Sequence, residues 1–578
     1  MNRLHISILF SILMMLSNSI SAQDTTQVTI RVIETSDIHG NLFPYDFINR
    51  KAWNASLANI DSYVKAQRDS LGNENVILLD NGDILQGQPT VYYYNFLDTA
   101  STHIVARMMN HMGYDAASVG NHDIEAGHAV YDRWFKQCDF PFIGANIINT
   151  ATDEPYIKPY TIIERHGLKF AILGLTTPGI PAWLPENLWS GLRFDDMAET
   201  ARKWVDIIHD TEKPDFVIGL FHSGVDSTRS AGPLTENASE LIARNIPGFD
   251  LILCGHDHRR ANKTFYNIAN EQVSLLNPAN NGNLVAVATI TFTLHDGKVI
   301  NKQISTQLET ISKYTPTAEF NEKFDKDKEI IGQFVSQPIG YNRNPLKTRD
   351  AYFGPSAFVD LIHTLQLSLS GAEISMAAPL SYDATIDEGE IKMSDMFNLY
   401  KYENMLYVMN LSGKEIKDYL EMSYDLWIST IKTPEDHLLR LTENSNGILK
   451  FENPTFNFDS AAGIIYTVDA TKEKGQRISI SSMSDGTSFD PERIYRVAIN
   501  SYRGNGGGNL LTQGAGIPAD ELTKRITWAT DIDLRFHLMN LIKESGIIEA
   551  KPLNHWKFIP QDIVAPAIQR DRKILFGE

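Results

Sequence analysis

The sequence predicts a layered α/β domain followed by a second, mixed domain. Between residues 27 and 310, apolar runs typical of buried strands alternate with amphipathic stretches typical of helices. Five of these runs end close to Asp, Asn or His. A lone buried polar residue usually has an ordinary hydrogen-bond partner, but five such strand ends in one half of the chain predict a shared site.

The five runs can be given in chain order. They are 28–33 before Asp37 and His39, 76–79 before Asp83, 116–119 before Asn121 and His122, 216–221 before His222, and 249–254 before His256 and His258. Residues i and i+2 of an extended segment point to the same side, so His256 and His258 can reach one site together.

This set of side chains is typical of a transition-metal site. Imidazole and carboxylate ligands together suit Zn, Mn, Fe, Co or Ni better than Ca, which prefers oxygen ligands alone. The ligand set is Asp37, His39, Asp83, Asn121, His222, His256 and His258. Seven groups are too many for one tetrahedral ion, so we predict two divalent ions that share a bridging carboxylate.

The remaining elements follow from periodicity. Apolar residues at Leu57, Ile60 and Val64 predict an amphipathic helix over 56–68. The sequence also predicts strands over 170–175, 284–293, 405–411 and 495–499, and helices over 356–369 and 414–426. Charges of alternating sign over 321–329 predict a connecting helix with a solvated face.

Composition narrows the class of protein. The chain has 578 residues, of which 43% are hydrophobic, so it is long enough for two large globular domains. Asp and Glu number 71 against 52 Lys and Arg, which gives a net charge of −19. An acidic surface repels the phosphate backbone, so we do not expect a nucleic-acid duplex as partner.

Residues 1–22 are typical of a secretory signal. Arg3 is followed by an apolar run over 6–16 and by a small-residue cleavage motif that ends at Ala22. The run is short for a membrane anchor, so we expect a periplasmic or otherwise exported protein with no stable anchor. Export permits a Cys138–Cys254 disulfide, but Cys254 lies in a predicted buried strand and we favour a packed thiol.

The ordered motifs Asp37-x-His39, Gly82-Asp83, 120–123, His222 and Gly255-His256-x-His258 resemble those of the calcineurin-like metallophosphoesterases. The resemblance implies two packed mixed sheets flanked by helices, with metals at the strand ends. It assigns Asp37, His39, Asp83 and His258 to one ion. It assigns Asp83, Asn121, His222 and His256 to the other, which makes Asp83 the bridge.

The same resemblance gives His122 a catalytic role that is not metal ligation. A histidine here would stabilise charge on the phosphate or protonate the leaving oxygen. In the 5′-nucleotidases an aspartate three residues later orients this histidine, and this chain has Glu125 in that position. Asp123 is the alternative partner for His122.

From residue 345 the chain resembles the C-terminal α+β substrate-binding domain of the 5′-nucleotidase family. The resemblance implies that Tyr402 and Tyr502 sandwich a nucleobase, and Arg503 beside them could supply a positive charge. The expected organisation is a signal peptide over 1–22, a metallophosphoesterase domain over 27–310, a linker with a connecting helix over 311–344, and a substrate domain over 345–578.

One departure favours a particular branch of the family. Classical 5′-nucleotidases carry an arginine-containing phosphate loop where this chain has 377–381, which contains no arginine. Together with the segments at 79–83 and at Tyr502, the loop without an arginine makes the chain look closer to the 2′,3′-cyclic-nucleotide 2′-phosphodiesterase/3′-nucleotidase branch. We therefore expect a monomeric enzyme for small nucleotides. The alternatives are a 5′-nucleotidase or nucleotide-sugar hydrolase, and a periplasmic nucleotide-binding protein without turnover.

Overall fold

The computed structural model describes residues 25–225, 230–231, 234–444 and 446–578. The predicted signal sequence over 1–22 lies outside these residues. Among the helices that are described, none has both the length and the apolar character needed to cross a bilayer.

Two mixed sheets form the first half of the chain. The first sheet has the strand order Lys298–Thr310, Leu284–His295, Thr25–Thr35, Val76–Asp80 and Ala116–Ala117. The second has the order Arg260–Tyr266, Gln272–Pro278, Leu251–Cys254, Phe216–His222, Leu168–Thr176 and Tyr160–Arg165. The inner strands pair in parallel, with Thr35 opposite Asp80 and Phe221 opposite Cys254, so their carboxyl ends lie level.

The two sheets pack face to face through apolar side chains. Ile30, Val32 and Leu79 of the first sheet meet Ile172 and Leu253 of the second, and all five are almost completely buried. Burial of each such side chain stabilises the folded state by roughly 1.5–3 kcal/mol. The predicted two-sheet α/β architecture is therefore confirmed, and the sheet interior gives the strand ends that carry the predicted metal ligands a rigid base.

Helices cover the outer faces of this sandwich. They are Leu57–Leu71, Pro89–Tyr92, Ile104–Met112, Asn121–Ile124, His128–Gln137, Met197–Thr211 and Ser239–Asn245. The predicted helix over 56–68 corresponds to Leu57–Leu71, with Ser56 as its N-cap residue. Its buried face contains Leu57, Ile60 and Val64, as the periodicity indicates.

The charged segment forms the helix Ala318–Ser336, which begins after Thr317. Most of its charges are solvated, but Asp327 is buried, contrary to the expectation of a wholly exposed charged face. Asp327 accepts hydrogen bonds from Tyr94 and Arg107 of the first half. Its burial is possible because a paired carboxylate avoids most of the cost of desolvation.

The second half of the chain has its own sheets. The largest has the order Ser460–Ala462, Ile374–Ala377, Ile494–Asn500, Leu406–Ser412 and Ile526–Ala529. Two three-stranded sheets accompany it, with the orders Gly389–Lys392, Pro338–Asn342, Ile547–Ile548 and Ile478–Met483, Ile464–Asp469, Trp556–Ile559. The main helices are Ala357–Ser370, Met393–Leu399, Gly413–Trp427, Leu534–Ser545 and Gln561–Phe576.

The two halves contact each other beside the metal-bearing strand ends. The rings of Tyr92 and Phe397 meet edge to face with 5.4 Å between their centroids. Gln86 donates a hydrogen bond of 3.2 Å to Glu403, which also pairs with Arg535 at 2.7 Å. The contact brings the segment around Tyr402 close to His122 and Glu125.

Both cysteines are free thiols. Cys254 is buried in the strand Leu251–Cys254, and its Sγ atom donates to the carbonyl oxygen of Leu276 at 3.1 Å. The packed thiol expected for Cys254 is thus present, and the alternative Cys138–Cys254 disulfide is not.

Candidate metal centre

The strand-end loops are tied to one another by backbone hydrogen bonds. The amide of Asp37 donates to the carbonyl of Gly82, and the amide of His39 donates to the carbonyl of Asp83, both at 2.9 Å. The amide of His256 donates to the Asp37 carboxylate at 3.0 Å. Three loops that are far apart in sequence are thereby fixed as one unit.

The backbone is strained at most of the predicted metal ligands. Five of them have left-handed φ angles, namely Asp37 (52°), His39 (49°), Asp83 (58°), His256 (69°) and His258 (57°). Such a conformation costs of order 1–3 kcal/mol for a residue other than glycine and is concentrated at functional sites. Here it turns side chains from separate strand ends toward a common centre.

Asn81 holds three strand ends together from below. Its side-chain nitrogen donates to Glu34 at 2.9 Å and to the carbonyl of Phe221 at 3.0 Å. The backbone carbonyl oxygen of Asn81 lies 2.6 Å from Nδ1 of His222. Because a carbonyl can only accept, Nδ1 carries a proton, so Nε2 of His222 is the nitrogen that a metal ion would bind.

Asp37, His39 and His258 form the first ligand cluster. The Nε2 atoms of the two histidines are 2.9 Å apart, and Nε2 of His258 is 3.3 Å from Oδ1 of Asp37. Nε2 of His39 is 4.0 Å from the same oxygen. The cluster is closed from below by buried Asp37 and opens to solvent at His258, whose side chain is 40% exposed.

Asp83, His222 and His256 form the second cluster, with one ligand atom from each lying within 4.8 Å of the others. Oδ2 of Asp83 is 3.2 Å from Nε2 of His222. Asp83 also accepts a hydrogen bond of 2.8 Å from the amide of His122, which places the segment carrying Asn121 against the cluster. The side chain of Asn121 is 7% exposed.

The electrostatics of the two clusters are strongly coupled. Burial would raise the pKa of Asp37, but the hydrogen bond with His258 and the nearby His222 hold it at about 2. Burial lowers the pKa of His39 to about 3, with His258 adding to the effect. Burial would also lower the pKa of His222, but Asp83 outweighs it and raises that pKa to about 10.

The residues fit divalent cations. Oδ1 of Asn121 is buried and has no hydrogen-bond partner within the described residues, and the buried Nε2 of His222 faces the Asp83 carboxylate at 3.2 Å. Buried polar atoms without partners are rare and call for a ligand or water. Two carboxylates, four imidazoles and one amide oxygen are the nitrogen and oxygen donors that first-row transition metals accept.

His122 lies at the edge of this centre with Glu125 as its partner. Nδ1 of His122 is in hydrogen-bond contact with Oε2 of Glu125, and the two side chains sit one turn apart. Burial would lower the pKa of His122, but Asp83 and Glu125 raise it to about 9. The longer Glu side chain therefore still reaches the histidine.

Asp123, the alternative partner, is occupied elsewhere. Its carboxylate accepts hydrogen bonds from the amides of Gly120, Asp83, Ile84 and Leu85 at 2.8–3.0 Å. These bonds fix the two loops that carry Asp83 and Asn121. Asp123 thus acts on loop geometry, and Glu125 acts on His122.

The structure adds three residues that the motifs did not reveal. Glu236 lies 3.0 Å from Nε2 of His256, and the Trp183 ring stacks on the His256 ring with 5.5 Å between centroids. Glu403 lies close to His122 and Glu125. Burial raises the pKa of Glu125, His122 lowers it, and Glu403 raises it further. None of these residues belongs to a strand-end pattern, so sequence periodicity offered no signal for them.

The second half contributes both predicted tyrosines. Tyr402 and Tyr502 are half-buried. Burial raises the pKa of Tyr402 to about 12, and Glu125 adds to the shift. Burial also raises the pKa of Tyr502, with Tyr402 and Glu236 adding to it. Tyr402 and Tyr502 are thus close enough to Glu125 and Glu236, respectively, for these carboxylates to influence their pKa values.

Arg503 does not occupy the position expected of a substrate-binding residue. It is 2% exposed, and its Nε atom pairs with Asp459 at 2.9 Å. Its other nitrogens donate to the carbonyls of Gly507 and Phe456. The guanidinium holds the glycine-rich loop in place, because a buried charge needs all of these partners.

Two family models match the chain. The model described as calcineurin-like phosphoesterase matches residues 30–260, and the model described as 5′-nucleotidase, C-terminal domain, matches residues 331–513. The first match contains all seven predicted metal ligands together with His122 and Glu125. The second contains Tyr402, Tyr502 and Arg503.

Distant relatives match over nearly the whole chain. The trifunctional nucleotide phosphoesterase protein YfkN of Bacillus subtilis is 25% identical over 92% of this chain, which spans 39% of that longer protein. The 2′,3′-cyclic-nucleotide 2′-phosphodiesterase/3′-nucleotidase of Salmonella typhimurium is 26% identical over 92% of this chain and 89% of its own length.

A solved structure supports the fold. A Staphylococcus aureus protein assigned as a 5′-nucleotidase superposes with a TM-score of 0.74 at 20% identity, over 92% of this chain and 99% of its own. At this identity the likeness concerns the fold alone. The two family models show that the chain joins a calcineurin-like phosphoesterase domain to a 5′-nucleotidase C-terminal domain, and they support a metal-dependent phosphoric ester hydrolase.

Proposed function

We propose that this protein is an exported di-metal enzyme that hydrolyses 2′,3′-cyclic nucleotides and 3′-nucleotides. The observation that carries the proposal is the pair of adjoining clusters, Asp37–His39–His258 and Asp83–His222–His256, with His122 at their edge. Two divalent ions bound there would activate water and neutralise charge on the phosphoryl group. Their identity, among Zn, Mn, Co, Ni and Fe, is left to measurement.

Each ligand has a role that its surroundings support. Asp37, His39 and His258 would hold one ion, and His222, His256 and Asn121 the other, with Asp83 between them. Asn121 adds a donor without adding negative charge, which favours an anionic ester. Glu236 lies against His256 and would fix the orientation of its ring, as carboxylates commonly do for metal-binding histidines.

His122 is proposed as the group that acts on the substrate's phosphate and leaving oxygen. Burial would lower the pKa of His122, but Asp83 and Glu125 raise it to about 9, which favours a protonated ring that can donate a proton from Nε2. Nδ1 faces Glu125, which keeps the ring oriented with Nε2 free. Glu125 is therefore a positioning residue.

The choice of substrate rests on the second domain. Tyr402 and Tyr502 would sandwich the base, and each stack is worth ~1–3 kcal/mol. The loop over 377–381 replaces the arginine-containing loop of classical 5′-nucleotidases. Its residues Ala377, Ala378 and Leu380 are buried and supply no cation for a second phosphate contact. Arg503 is committed to Asp459, so it does not replace that cation. A cyclic diester with one negative charge depends least on such a clamp.

The names of two relatives agree with the proposed substrates. The Salmonella typhimurium protein is named for cyclic-nucleotide and 3′-nucleotide hydrolysis, and the Bacillus subtilis protein for three nucleotide phosphoesterase activities. A 5′-nucleotidase or nucleotide-sugar hydrolase is the second candidate, because the C-terminal family model is that of the 5′-nucleotidases.

The domain limits, the oligomeric state and export are part of the proposal. We place the metallophosphoesterase domain at 27–310, the connecting helix within 311–344, and the substrate domain at 345–578. A monomer is expected, and mass measurement in solution would test it. Export rests on residues 1–22, and the N-terminal sequence of the protein recovered outside the cytoplasm would test cleavage after Ala22.

A turnover assay separates an enzyme from a binding protein. The full mature chain is loaded with Mn²⁺ or Zn²⁺ and incubated with 2′,3′-cyclic AMP, and the products are separated by chromatography. The proposal predicts 3′-AMP followed by adenosine and phosphate, with loss of activity in chelator and recovery on metal addition. Tight nucleotide binding without product would instead support the binding-protein alternative.

A further inference from the structure

A second group of metal-ligating side chains lies buried in the C-terminal half. Asp360 and His363 are three residues apart in the helix Ala357–Ser370, so they share one face of it. His555 comes from the segment directly before the strand Trp556–Ile559. One ligand atom from each of the three residues lies within 4.8 Å of the others.

These side chains are cut off from solvent. Asp360, His363 and His555 are 2%, 0% and 4% exposed. Neither ring nitrogen of His555 has a hydrogen-bond partner among the residues that the structure describes. Leaving a buried polar group unpaired costs roughly 1–3 kcal/mol. His555 therefore has coordinating capacity that the surrounding protein does not use.

The hydrogen bonds around His363 prepare it as a ligand. Oγ of Ser375 donates to Oε1 of Gln366 at 2.8 Å, so the same Oγ accepts from Nδ1 of His363 at 2.9 Å. The proton of the neutral ring is thus on Nδ1, and Nε2 keeps its lone pair. A histidine whose second nitrogen donates to a polar partner is the usual arrangement at a metal ion.

Asp360 and the loop that carries His555 are already joined. Oδ2 of Asp360 accepts a hydrogen bond of 2.8 Å from the amide of Leu553, two residues before His555. The rings of His363 and His555 are nearly perpendicular, at 87°, with 5.9 Å between centroids. Oγ of Ser460 donates a hydrogen bond of 3.2 Å to Nε2 of His363, so a cation that binds this nitrogen would replace that hydrogen bond and find the hydroxyl oxygen beside it.

We propose that Asp360, His363 and His555 bind a structural divalent cation, separate from the active-site metals, in the C-terminal half of the chain. Two imidazole nitrogens and one carboxylate oxygen suit a zinc-type ion, with Ser460 or a water as fourth ligand. The ion ties the helix Ala357–Ser370 to the segment that leads into Trp556–Ile559. Its part is stability, since it would join two elements that lie far apart in the sequence.

Anomalous diffraction from crystals of the zinc-loaded full chain tests the site directly. We expect a zinc-edge peak at roughly 2.0–2.2 Å from the ligand atoms of Asp360, His363 and His555. The Asp83→Asn variant should keep this peak, because that substitution acts only at the active-site clusters. A wild-type map with peaks at the active site and none at this cluster would overturn the proposal.

Metal counting on variants gives an independent readout. Asp360→Asn and His555→Gln should each bind one zinc fewer per chain than the wild type and unfold at a lower temperature. His537→Gln is the matched control, because His537 also has an unpartnered Nε2 but lies outside the cluster, and its zinc count should be unchanged. Equal zinc counts in wild type, Asp360→Asn and His555→Gln would contradict the site. If either variant loses its near-ultraviolet circular dichroism, it is misfolded and its zinc count is set aside. The anomalous map of the wild type then decides whether the cluster binds zinc.

Discussion

Nδ1 of His122 contacts Oε2 of Glu125 three residues further along the chain, so the His–carboxylate pair survives the change from Asp to Glu. Glu125 is buried and close enough to Tyr402 to influence the pKa of that tyrosine. Burial raises the pKa of Glu125, whereas His122 lowers it. The pair therefore needs a carboxylate that reaches the imidazole ring, and Glu125 does so.

Replacement of His122 by Ala should lower kcat by roughly 10²–10⁴, the range that general acid–base groups contribute. Metal content should stay near that of the wild type, because His122 belongs to neither ligand cluster. The measurement is kcat together with metal per chain. Loss of metal from His122→Ala would assign this residue to the ligands instead.

Glu125→Gln should reduce kcat less than His122→Ala, because the ring remains but loses its charged partner. The pKa of His122 should also fall, since Glu125 is one of the groups that raise it. Glu125→Asp is the matched variant that restores the charge with a shorter side chain, and it should be the milder of the two. Equal activity of Glu125→Gln and wild type would remove the positioning role.

Asp83→Asn should impair both clusters at once. The substitution removes the charge beside His222 and keeps nearly the same shape, so folding should persist. We expect metal affinity to fall by more than the roughly 10–100-fold typical of a change in an outer-shell partner. Metal counting and phosphate release measure the effect, and a variant that loses only one of two ions would argue against a bridging carboxylate.

Gly120→Ala tests the close packing of the two loops. A Cβ atom at this position would lie 2.1 Å from Oδ1 of Asp83 and 2.6 Å from its backbone nitrogen. Because backbone must shift, we expect lower metal affinity and lower stability. Gly332→Ala is the control, since nothing lies within 4 Å and the site is helical; it should stabilise by roughly 0.4–1 kcal/mol. Chemical denaturation compares the two.

Tyr402→Ala and Tyr502→Ala should each weaken nucleotide substrates by the loss of one stack, ~1–3 kcal/mol. A small aryl phosphodiester has no nucleobase to sandwich and should lose less kcat/KM. Tyr341→Ala serves as the control, because Tyr341 is 46% exposed on a strand away from both tyrosines. The same loss for nucleotide and aryl substrates would exclude base stacking.

Most of the site could be predicted because its residues follow buried strands. The apolar runs before Asp37, Asp83, His222 and His256 fix where each side chain emerges, and parallel pairing then brings the strand ends together. The left-handed backbone at Asp83 and His256 could not be predicted, since it depends on bonds between loops. That detail decides how the ligands converge.

The less successful predictions concern charged residues whose partners are remote in sequence. Arg503 was expected to face the substrate, but its carboxylate partner Asp459 lies 44 residues earlier. Asp327 was expected in solvent, but Arg107 from the first half pairs with it. The contact of Glu236 with His256 was not predicted at all. Local pattern carries no information on such pairs, because tertiary packing creates them.

Substrate selectivity tests the central claim most directly. The measurement is kcat/KM for 2′,3′-cyclic AMP, 3′-AMP and 5′-AMP with one metal-loaded sample at one pH. The loop over 377–381 contains no cation and Arg503 is paired with Asp459, so neither can clamp a dianionic 5′-phosphate, and we predict the highest kcat/KM for the cyclic diester and its 3′ product. A clear preference for 5′-AMP would contradict this account and support the 5′-nucleotidase alternative.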